Sequence, residues 1–264
     1  MKKRKEKQVI EYTNEFNDDY AETNINRKPL GDDFKYVNKN IFFRFTGWFV
    51  TFCLMIPILW IGGKIHLGFR IKNRKVLRKV KGTGYFLYSN HVAMLDPVMH
   101  CIVNWPRKSY IIAGQDAFSI KGIKTLVKML GAVPLPDTPE QRASFYECIK
   151  YRVVDQKAAM IVYPEAHIWK YFNGIRTLRP ATFRFPCRLN TPIVIATTTW
   201  RKRHWPWKRP RMIINLHDPI YPDPSLDERD NAAMVTAKAQ EIMESYASSP
   251  DNYEYIRYQK KSVE

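Results

Sequence analysis

Residues 84–97 read GYFLYSNHVAMLDP, and the rest of the chain can be interpreted outward from this stretch. Its first part, GYFLYS at 84–89, is a short apolar run typical of a buried strand. Asp96 followed by Pro97 is typical of a helix start, because Asp is a good N-cap and Pro suits the first turn. His91 then lies in the turn between strand and helix, where open α/β sheets bind their ligands.

Short apolar runs alternate with longer amphipathic stretches from this point to the C-terminus. Such alternation is typical of an α/β fold, so we expect a mostly parallel or mixed sheet flanked by helices. Further strands are expected at 109–114, 132–135, 158–164, 191–198 and 211–216. Helices are expected at 97–103, 118–130, 138–153 and 225–247.

An apolar stretch, IFFRFTGWFVTFCLMIPILWIGG, precedes the sheet at residues 41–63. After Arg44 it holds 19 residues without a charge, close to the length of a helix that crosses a bilayer core. Trp48 and Trp60 lie near its ends, where amphipathic rings favour the membrane interface. We predict an N-terminal membrane-associated helix that either spans the bilayer or lies in one leaflet. A buried core helix of a soluble protein is the third alternative.

The two flanks of the apolar stretch differ in charge. Residues 64–81 carry eight Lys or Arg and no acid, whereas residues 27–44 carry five bases and two acids. Because positively charged flanks stay on the cytoplasmic side, the C-terminal body is expected there.

The 264-residue chain has a net charge of +18, which excludes an acidic, disordered protein. The charge favours an anionic partner: a nucleic acid, a phospholipid surface or a phosphorylated small molecule. Residues 1–40 hold nine bases and eight acids, so the excess belongs to the rest of the chain.

We divide the chain into a polar, loosely ordered N-terminal arm at 1–40, a membrane-associated helix with its basic flank at 41–80, and a domain at 81–264. The four cysteines have no zinc-like spacing, and no metal is expected.

His91 and Asp96 are the candidate catalytic residues. With His91 in the turn, the Asp96 carboxylate can reach one imidazole nitrogen and make the other a general base. No Ser, Cys or Thr nucleophile is evident beside them, which favours direct attack by a hydroxyl of the substrate. The alternative is a simple helix cap with an incidental histidine.

Asn90-His91-x4-Asp96 resembles the HX4D motif of the glycerolipid acyltransferase family. Four further stretches resemble blocks of that family in the same order. They are LGAVPLP at 130–136, VYPEAHI at 162–168, TLRPATFR at 177–184 and TPIVIA at 191–196.

The resemblance implies a membrane-associated O-acyltransferase without a cofactor. It would move a fatty acyl group from acyl-CoA or acyl carrier protein to lysophosphatidic acid, giving phosphatidic acid. The catalytic domain would lie on the cytoplasmic side of the membrane. Backbone amides at the start of the Asp96 helix, or around Gly131, are candidates to stabilise the oxyanion.

The stretch VYPEAHI at 162–168 corresponds to the third block of the family, and it departs from the family pattern at three positions. Ala166, His167 and Ile168 stand where the family usually has Gly, Thr and Arg, and in the family that Arg helps to bind the phosphate of the acceptor. We therefore expect phosphate binding by Arg176 and Arg179, whose guanidinium groups suit bidentate contacts.

His167 is a further candidate phosphate donor or a structural histidine. Glu165 matches the acid of the third block and is expected to pair with an Arg, either Arg176 or Arg179, or to hold the acceptor. Asn90 completes the set of predicted substrate-binding residues.

The segment WRKRHWPWKRPR at 200–211 interleaves six bases with three Trp. Docking on an anionic membrane surface, a solvated loop and single-stranded nucleic-acid binding are the three interpretations. We favour the membrane surface and expect no nucleic acid. The functional alternatives are an acyltransferase for another lysophospholipid or a glycolipid, and, in a different class, a membrane-anchored nucleic-acid-binding protein.

Overall fold

The strand predicted at 84–89 lies in the middle of the sheet. The computed structural model describes residues 8–21, 29–31, 34–119, 122, 124–203 and 209–261. In it this strand is β3 (Tyr85–Ser89), and all five residues are buried. Six further strands of the same sheet lie within the described residues. They are β2 (Arg70–Lys72), β4 (Ser109–Ala113), β5 (Ala132–Pro134), β6 (Ala159–Val162), β7 (Ile193–Arg201) and β8 (Arg211–Leu216).

The strand order in this sheet is β2-β8-β7-β3-β6-β4-β5. Every neighbouring pair is parallel except β7 and β8, which run antiparallel. The prediction of a mostly parallel or mixed sheet is confirmed. Five predicted strands begin and end within about two residues of the observed ones, and β7 runs three residues further than predicted.

The apolar stretch forms one continuous helix, Ile41–Leu67. Within it, α1 (Ile41–Phe49) and α2 (Ile56–Gly62) are joined by a π-helical turn, and a second such turn extends α2. Of the helices that the structure describes, this one is long and apolar enough to cross a membrane. Only 11% of its most apolar window is buried, which does not fit the buried core helix of a soluble protein.

One face of this apolar helix packs on the body of the protein near both of its ends. The Cα side of Gly47 lies against Met129, and that of Gly63 lies against Met99. A Cβ at Gly63 would lie 3.0 Å from the sulfur of Met99, so that methionine would have to move, whereas a Cβ at Gly47 would just reach Met129. The other face leaves large apolar side chains exposed, among them Ile41, Phe42, Phe45, Trp48, Ile58, Trp60, Ile61 and Ile65.

Three of the remaining helices match the predicted ones at 97–103, 138–153 and 225–247, and the short helix before β7 was not predicted. The full set of remaining helices is α3 (Asp96–Asn104), α4 (Asp116–Ser119), α5 (Lys124–Met129), α6 (Pro139–Lys150), α7 (Arg184–Arg188) and α8 (Glu228–Ala247), with 3-10 turns at Arg74–Val80 and Pro180–Phe183. The single helix expected at 118–130 is wrong. Gly122 has a φ of +83°, and this left-handed conformation separates α4 from α5.

Both faces of the sheet are covered. Side chains alternate along β3, so Tyr85 and Leu87 pack on the face covered by α3 and the 3-10 turn before β3. Phe86 and Tyr88 pack on the opposite face against α6 and α8. Gly84 starts the strand where the backbone passes closely over the π-helical turn after α6, since a Cβ would lie 1.8 Å from the carbonyl oxygen of Val153.

A second, two-stranded sheet joins the two ends of the chain. β1 (Gln8–Tyr12) pairs in parallel with β9 (Ile256–Lys260), and neither strand was predicted. The ring of Trp169 stacks on Tyr258 of β9 at 4.8 Å and lies 4.6 Å from Tyr12 of β1. The loose order expected for residues 1–40 therefore does not hold for residues 8–21, because this aromatic cluster anchors them.

His217, which follows β8, makes the stability of the fold pH-dependent. Burial lowers its pKa to about 4, against the opposing effect of Asp218, and its Nε2 lies 2.9 Å from Oγ1 of Thr197. In the unfolded chain this histidine binds a proton near pH 6.5, whereas in the folded chain it binds one only near pH 4. We therefore expect the free energy of unfolding to fall by about 3 kcal/mol as the pH falls from 6.5 to 4.

Urea unfolding at several pH values measures this effect. The variant His217→Gln keeps an acceptor for Thr197 and should flatten the dependence, although burial also lowers the pKa of His100 and leaves a residual slope. His66→Gln, at an exposed position, is the matched control and should behave like the parent protein. An unchanged slope in His217→Gln would contradict the assignment.

Candidate active site

His91 and Asp96 meet in the turn that follows β3. The Nδ1 of His91 lies 3.1 Å from Oδ2 of Asp96. The Asp96 side chain is fully buried, and 10% of the His91 side chain is exposed. A carboxylate beside Nδ1 keeps the proton on that nitrogen and leaves Nε2 as the basic nitrogen. This arrangement can take a proton from a hydroxyl group.

Asp96 does not cap α3 in the way its sequence context predicts. Its Oδ2 accepts the backbone N–H groups of Val92 and Ala93, each at 2.7 Å, and the N-cap residue is Leu95. The carboxylate therefore turns back to the loop instead of forward to the helix amides. The alternative interpretation made Asp96 a simple helix cap and His91 an incidental neighbour. The first of these is wrong, since Asp96 organises the turn that carries His91.

Tyr163 and His100, which were not singled out in the sequence, lie under this pair. The ring of Tyr163 stacks on His91 with 4.2 Å between centroids, and its hydroxyl lies 2.9 Å from Nδ1 of His100. The same nitrogen lies 2.8 Å from the Asp96 carbonyl, which only accepts, so Nδ1 carries the proton. Burial raises the pKa of Tyr163 and lowers the pKa of His100, which keeps both neutral. The sequence feature that could have pointed to Tyr163 is its position two residues before Glu165, the acid of the third block.

Glu165 connects the His91 turn to the segment after β6. Its Oε2 accepts the backbone N–H of His91 and Nη2 of Arg176, each at 3.0 Å, and its Oε1 accepts the backbone N–H of Arg176 at 3.0 Å. Both side chains are buried, at 2% exposure or less. Of the two partners that the sequence left open, Arg176 and Arg179, the structure brings Arg176 to Glu165.

Arg176 and Asn90, two predicted substrate-binding residues, direct their polar groups into the protein. Nη1 of Arg176 donates to the carbonyl of Glu15, and Nη2 also donates to the carbonyl of His167. The amide of Asn90 bonds the backbone N–H and C=O of Thr198 in β7 at 2.8 and 3.0 Å. These side chains are placed to position the site, and direct contact with an acceptor does not fit their burial.

His167 and Arg179 lie beside an acidic stretch of the N-terminal segment. Residues 8–21 carry four acids and no base. Nδ1 of His167 lies 3.8 Å from Oδ2 of Asp19, and the exposed Arg179 lies over the ring of Phe16 at 4.2 Å. Since carboxylates repel phosphate, this surface is an unfavourable place for the phosphate of an acceptor.

A cleft of about 390 Å³ opens beside the loop that carries His91. Residues 92–95 line it on one side, and β1 and β9 line it on the other. Two bases line the cleft, Lys170 and Arg209, and none of its described lining residues is acidic. Burial raises the pKa of Tyr171, and the neighbouring Arg209 opposes that rise. The cleft therefore combines apolar surface with positive charge, as an amphipathic anion requires.

The amides near Gly131 cannot serve the reaction at His91. Gly131 directly precedes β5 and packs on Ser109 at the start of β4, so it lies at the amino edge of the sheet. His91 follows the carboxyl end of β3, at the opposite edge. The expectation that Gly131 stabilises an oxyanion is wrong for this reason.

Residues 204–208, in the middle of the basic segment at 200–211, lie outside the described residues. Its described part includes Arg209 in the cleft and Arg203, whose guanidinium donates to the carbonyl of His66.

In the part of the chain that the structure describes, no group of His, Cys, Asp and Glu could hold a metal ion.

Comparisons with known proteins identify the family and the fold of this chain. Residues 68–208 match the family model described as Acyltransferase. The crystal structure of the 1-acyl-sn-glycerophosphate (LPA) acyltransferase PlsC from Thermotoga maritima superposes with a TM-score of 0.52. That match is 15% identical in sequence and covers 79% of this chain and 91% of the other, so it shows a shared fold. No curated protein matches the sequence.

Proposed function

Because this chain belongs to the acyltransferase family, we propose that it transfers a fatty acyl group from an acyl thioester to the free hydroxyl of lysophosphatidic acid. The donor would be acyl-CoA or acyl carrier protein, and the product phosphatidic acid. The observation that carries the proposal is the His91–Asp96 contact of 3.1 Å beside an apolar, positively charged cleft. Transfer to another lysophospholipid or a glycolipid is the second candidate, since the third block has lost its usual Arg.

In the proposed mechanism His91 acts first as a base and then as an acid. Its Nε2 takes the proton from the acceptor hydroxyl, and that oxygen attacks the thioester carbonyl carbon. When the tetrahedral intermediate collapses, the C–S bond breaks and His91 returns the proton to the leaving thiolate. Asp96 holds the imidazole and stabilises its charged form. The new ester and a free thiol are the products.

The oxyanion of this intermediate needs donors from the same loop. The N–H groups of Val92 and Ala93 already bond Asp96, and that of His91 bonds Glu165. Among the described hydrogen bonds of the loop, none uses the amides of Met94 and Leu95. We assign the oxyanion to these two amides, because both residues line the cleft.

We assign the phosphate of the acceptor to Arg209, with Lys170 adding positive charge on the same side of the cleft. Replacing Arg209 with alanine should raise the KM for lysophosphatidic acid by about 10-fold or more, since a charge-assisted bond contributes roughly 1.5–3 kcal/mol. The KM for the donor should stay unchanged. Initial rates at varied acceptor concentration measure the effect.

Two further variants sharpen this test. Arg142→Ala removes an exposed arginine on α6, away from the cleft, and should leave both KM values as they are. Arg179→Ala tests the residue that the sequence favoured. A rise in acceptor KM for Arg179→Ala alone would overturn the assignment to Arg209.

We propose that the apolar helix lies in one leaflet, with the catalytic domain on the cytoplasmic side. Its contacts with the body through Gly47 and Gly63, near both of its ends, support this arrangement over a span. Cysteines introduced at Asn38 and Lys72, in a background without the native ones, should both react with an impermeant maleimide from the same side. Reaction from opposite sides would mean that the helix spans.

The acceptor is tested by thioester consumption. Purified protein with acyl-CoA should release CoA in the presence of lysophosphatidic acid, and more slowly with lysophosphatidylcholine or a glycolipid. Consumption without any of these acceptors, or none at all with acyl-CoA and acyl carrier protein, would contradict the proposal.

A further inference from the structure

A second basic pocket, of about 530 Å³, lies at the opposite edge of the sheet from His91. It is bounded by the start of the apolar helix and by residues directly before β4 and β6. It shares no lining residue with the cleft beside His91. Four bases line it, and none of its described lining residues is acidic: Arg44, Lys108, Lys128 and Arg152.

Lys108 is a partly buried cation in this pocket, and its described hydrogen-bond partners are neutral. Its Nζ donates to Oγ1 of Thr51 at 3.0 Å and to the carbonyl of Met129 at 3.2 Å. Burial, with a smaller effect of Arg152, lowers its pKa to about 8, and Cys101 opposes this shift. A buried ammonium without a counter-ion is costly, so an anion in the pocket would offset that cost.

Arg152 places a second cation beside Lys108 in this pocket. Its Nε is buried and has no described partner, while Nη1 donates to Tyr110 and Gln156. The guanidinium lies 4.2 Å from the ring centroid of Tyr110, and Nζ of Lys108 lies 5.9 Å from the same ring. Two cations therefore lie beside the same aromatic ring, and no acidic residue lines the pocket to neutralise them. Their combined positive charge attracts an anion.

The rim of the pocket identifies the class of anion. Ile41, Phe45 and Trp48 of the apolar helix line it, and all three are at least half exposed. A ligand that bonds the four bases would lie directly beside a surface suited to acyl chains. We infer that this pocket binds the phosphate group of an anionic phospholipid, with the lipid chains along the exposed face of the apolar helix. The inference does not depend on acyl transfer at His91.

Ligand-induced stabilisation of the full chain in detergent tests this site. The probes are dihexanoyl phosphatidylglycerol, dihexanoyl phosphatidylcholine and inorganic phosphate. At a concentration about a hundredfold above its Kd, the phosphatidylglycerol should raise the Tm by roughly 5–10 °C. Phosphatidylcholine, which carries no net charge, should raise it much less.

The variant Lys108→Met keeps the length of the side chain and removes its charge. It should raise the Tm without ligand and abolish the shift caused by phosphatidylglycerol. Lys238→Met, at an exposed position on α8, is the matched control and should retain the full shift. Equal shifts with inorganic phosphate would overturn the assignment to a lipid. A shift that persists in Lys108→Met, or no shift in the parent protein, would overturn the site.

Discussion

Replacing His91 with alanine is expected to lower kcat/KM for acyl transfer by roughly 10³-fold or more while the protein stays folded. In the proposed mechanism the imidazole takes a proton from the acceptor hydroxyl and returns it to the thiolate. Its side chain makes one described hydrogen bond, to Asp96, so its loss should cost little stability. Release of CoA, followed with a thiol reagent, measures the rate, and urea unfolding checks the fold.

Asp96→Asn is the sharper test of the same pair. An asparagine oxygen can still accept the N–H groups of Val92 and Ala93, so the turn should keep its shape. The same oxygen would still accept from Nδ1 of His91, so the variant keeps the tautomer and loses the negative charge that stabilises the protonated imidazole. We therefore expect a clear loss of activity that is smaller than that of His91→Ala, with a much smaller change in stability than Asp96→Ala would cause.

Tyr163→Phe serves as the matched control for both variants. It keeps the ring that stacks on His91 and removes the hydroxyl that bonds His100. Activity should fall less than about 10-fold, because no group on the proton path changes. Acyl transfer by His91→Ala at the parental rate would remove His91 from the mechanism.

The His91–Asp96 contact could be predicted because it depends on local chemistry. The residues are five apart in one turn, and the strand before them and the Pro after Asp96 both have clear local signals. The central strands were predictable for the same reason, since β3 and β6 are continuous apolar runs bounded by polar residues. Both sets of signals lie within about ten residues.

The position of Arg176 and the pairing of β1 with β9 could not be predicted in this way. Nothing local distinguishes Arg176, which is buried, from Arg179, which is exposed. The difference arises because Glu165 and the carbonyl of Glu15 meet Arg176 from distant parts of the chain. β1 has a polar, weakly alternating sequence, and its partner is at the other end of the chain. Such pairings depend on tertiary packing around Trp169.

Replacing Arg176 with methionine is expected to lower the free energy of unfolding by about 3–5 kcal/mol. The change leaves the buried carboxylate of Glu165 without its cation, although two backbone N–H groups still reach it. Adding Glu165→Gln to this variant removes the stranded charge, so the double variant should recover at least about half of the loss. Equilibrium unfolding in urea measures all three proteins.

The exposed ion pair between Arg188 and Glu228 provides the control. Its two side-chain bonds, of 2.6 and 3.0 Å, are at least as short as the 3.0 Å bond between Arg176 and Glu165, but 52% of the Arg188 side chain is exposed. Arg188→Met should therefore cost no more than about 1 kcal/mol, because water solvates the remaining carboxylate. Equal losses for Arg176→Met and Arg188→Met would mean that burial does not set the strength of the Glu165 pair. A large loss confined to Arg176→Met would show that this ion pair holds the His91 turn against the segment after β6.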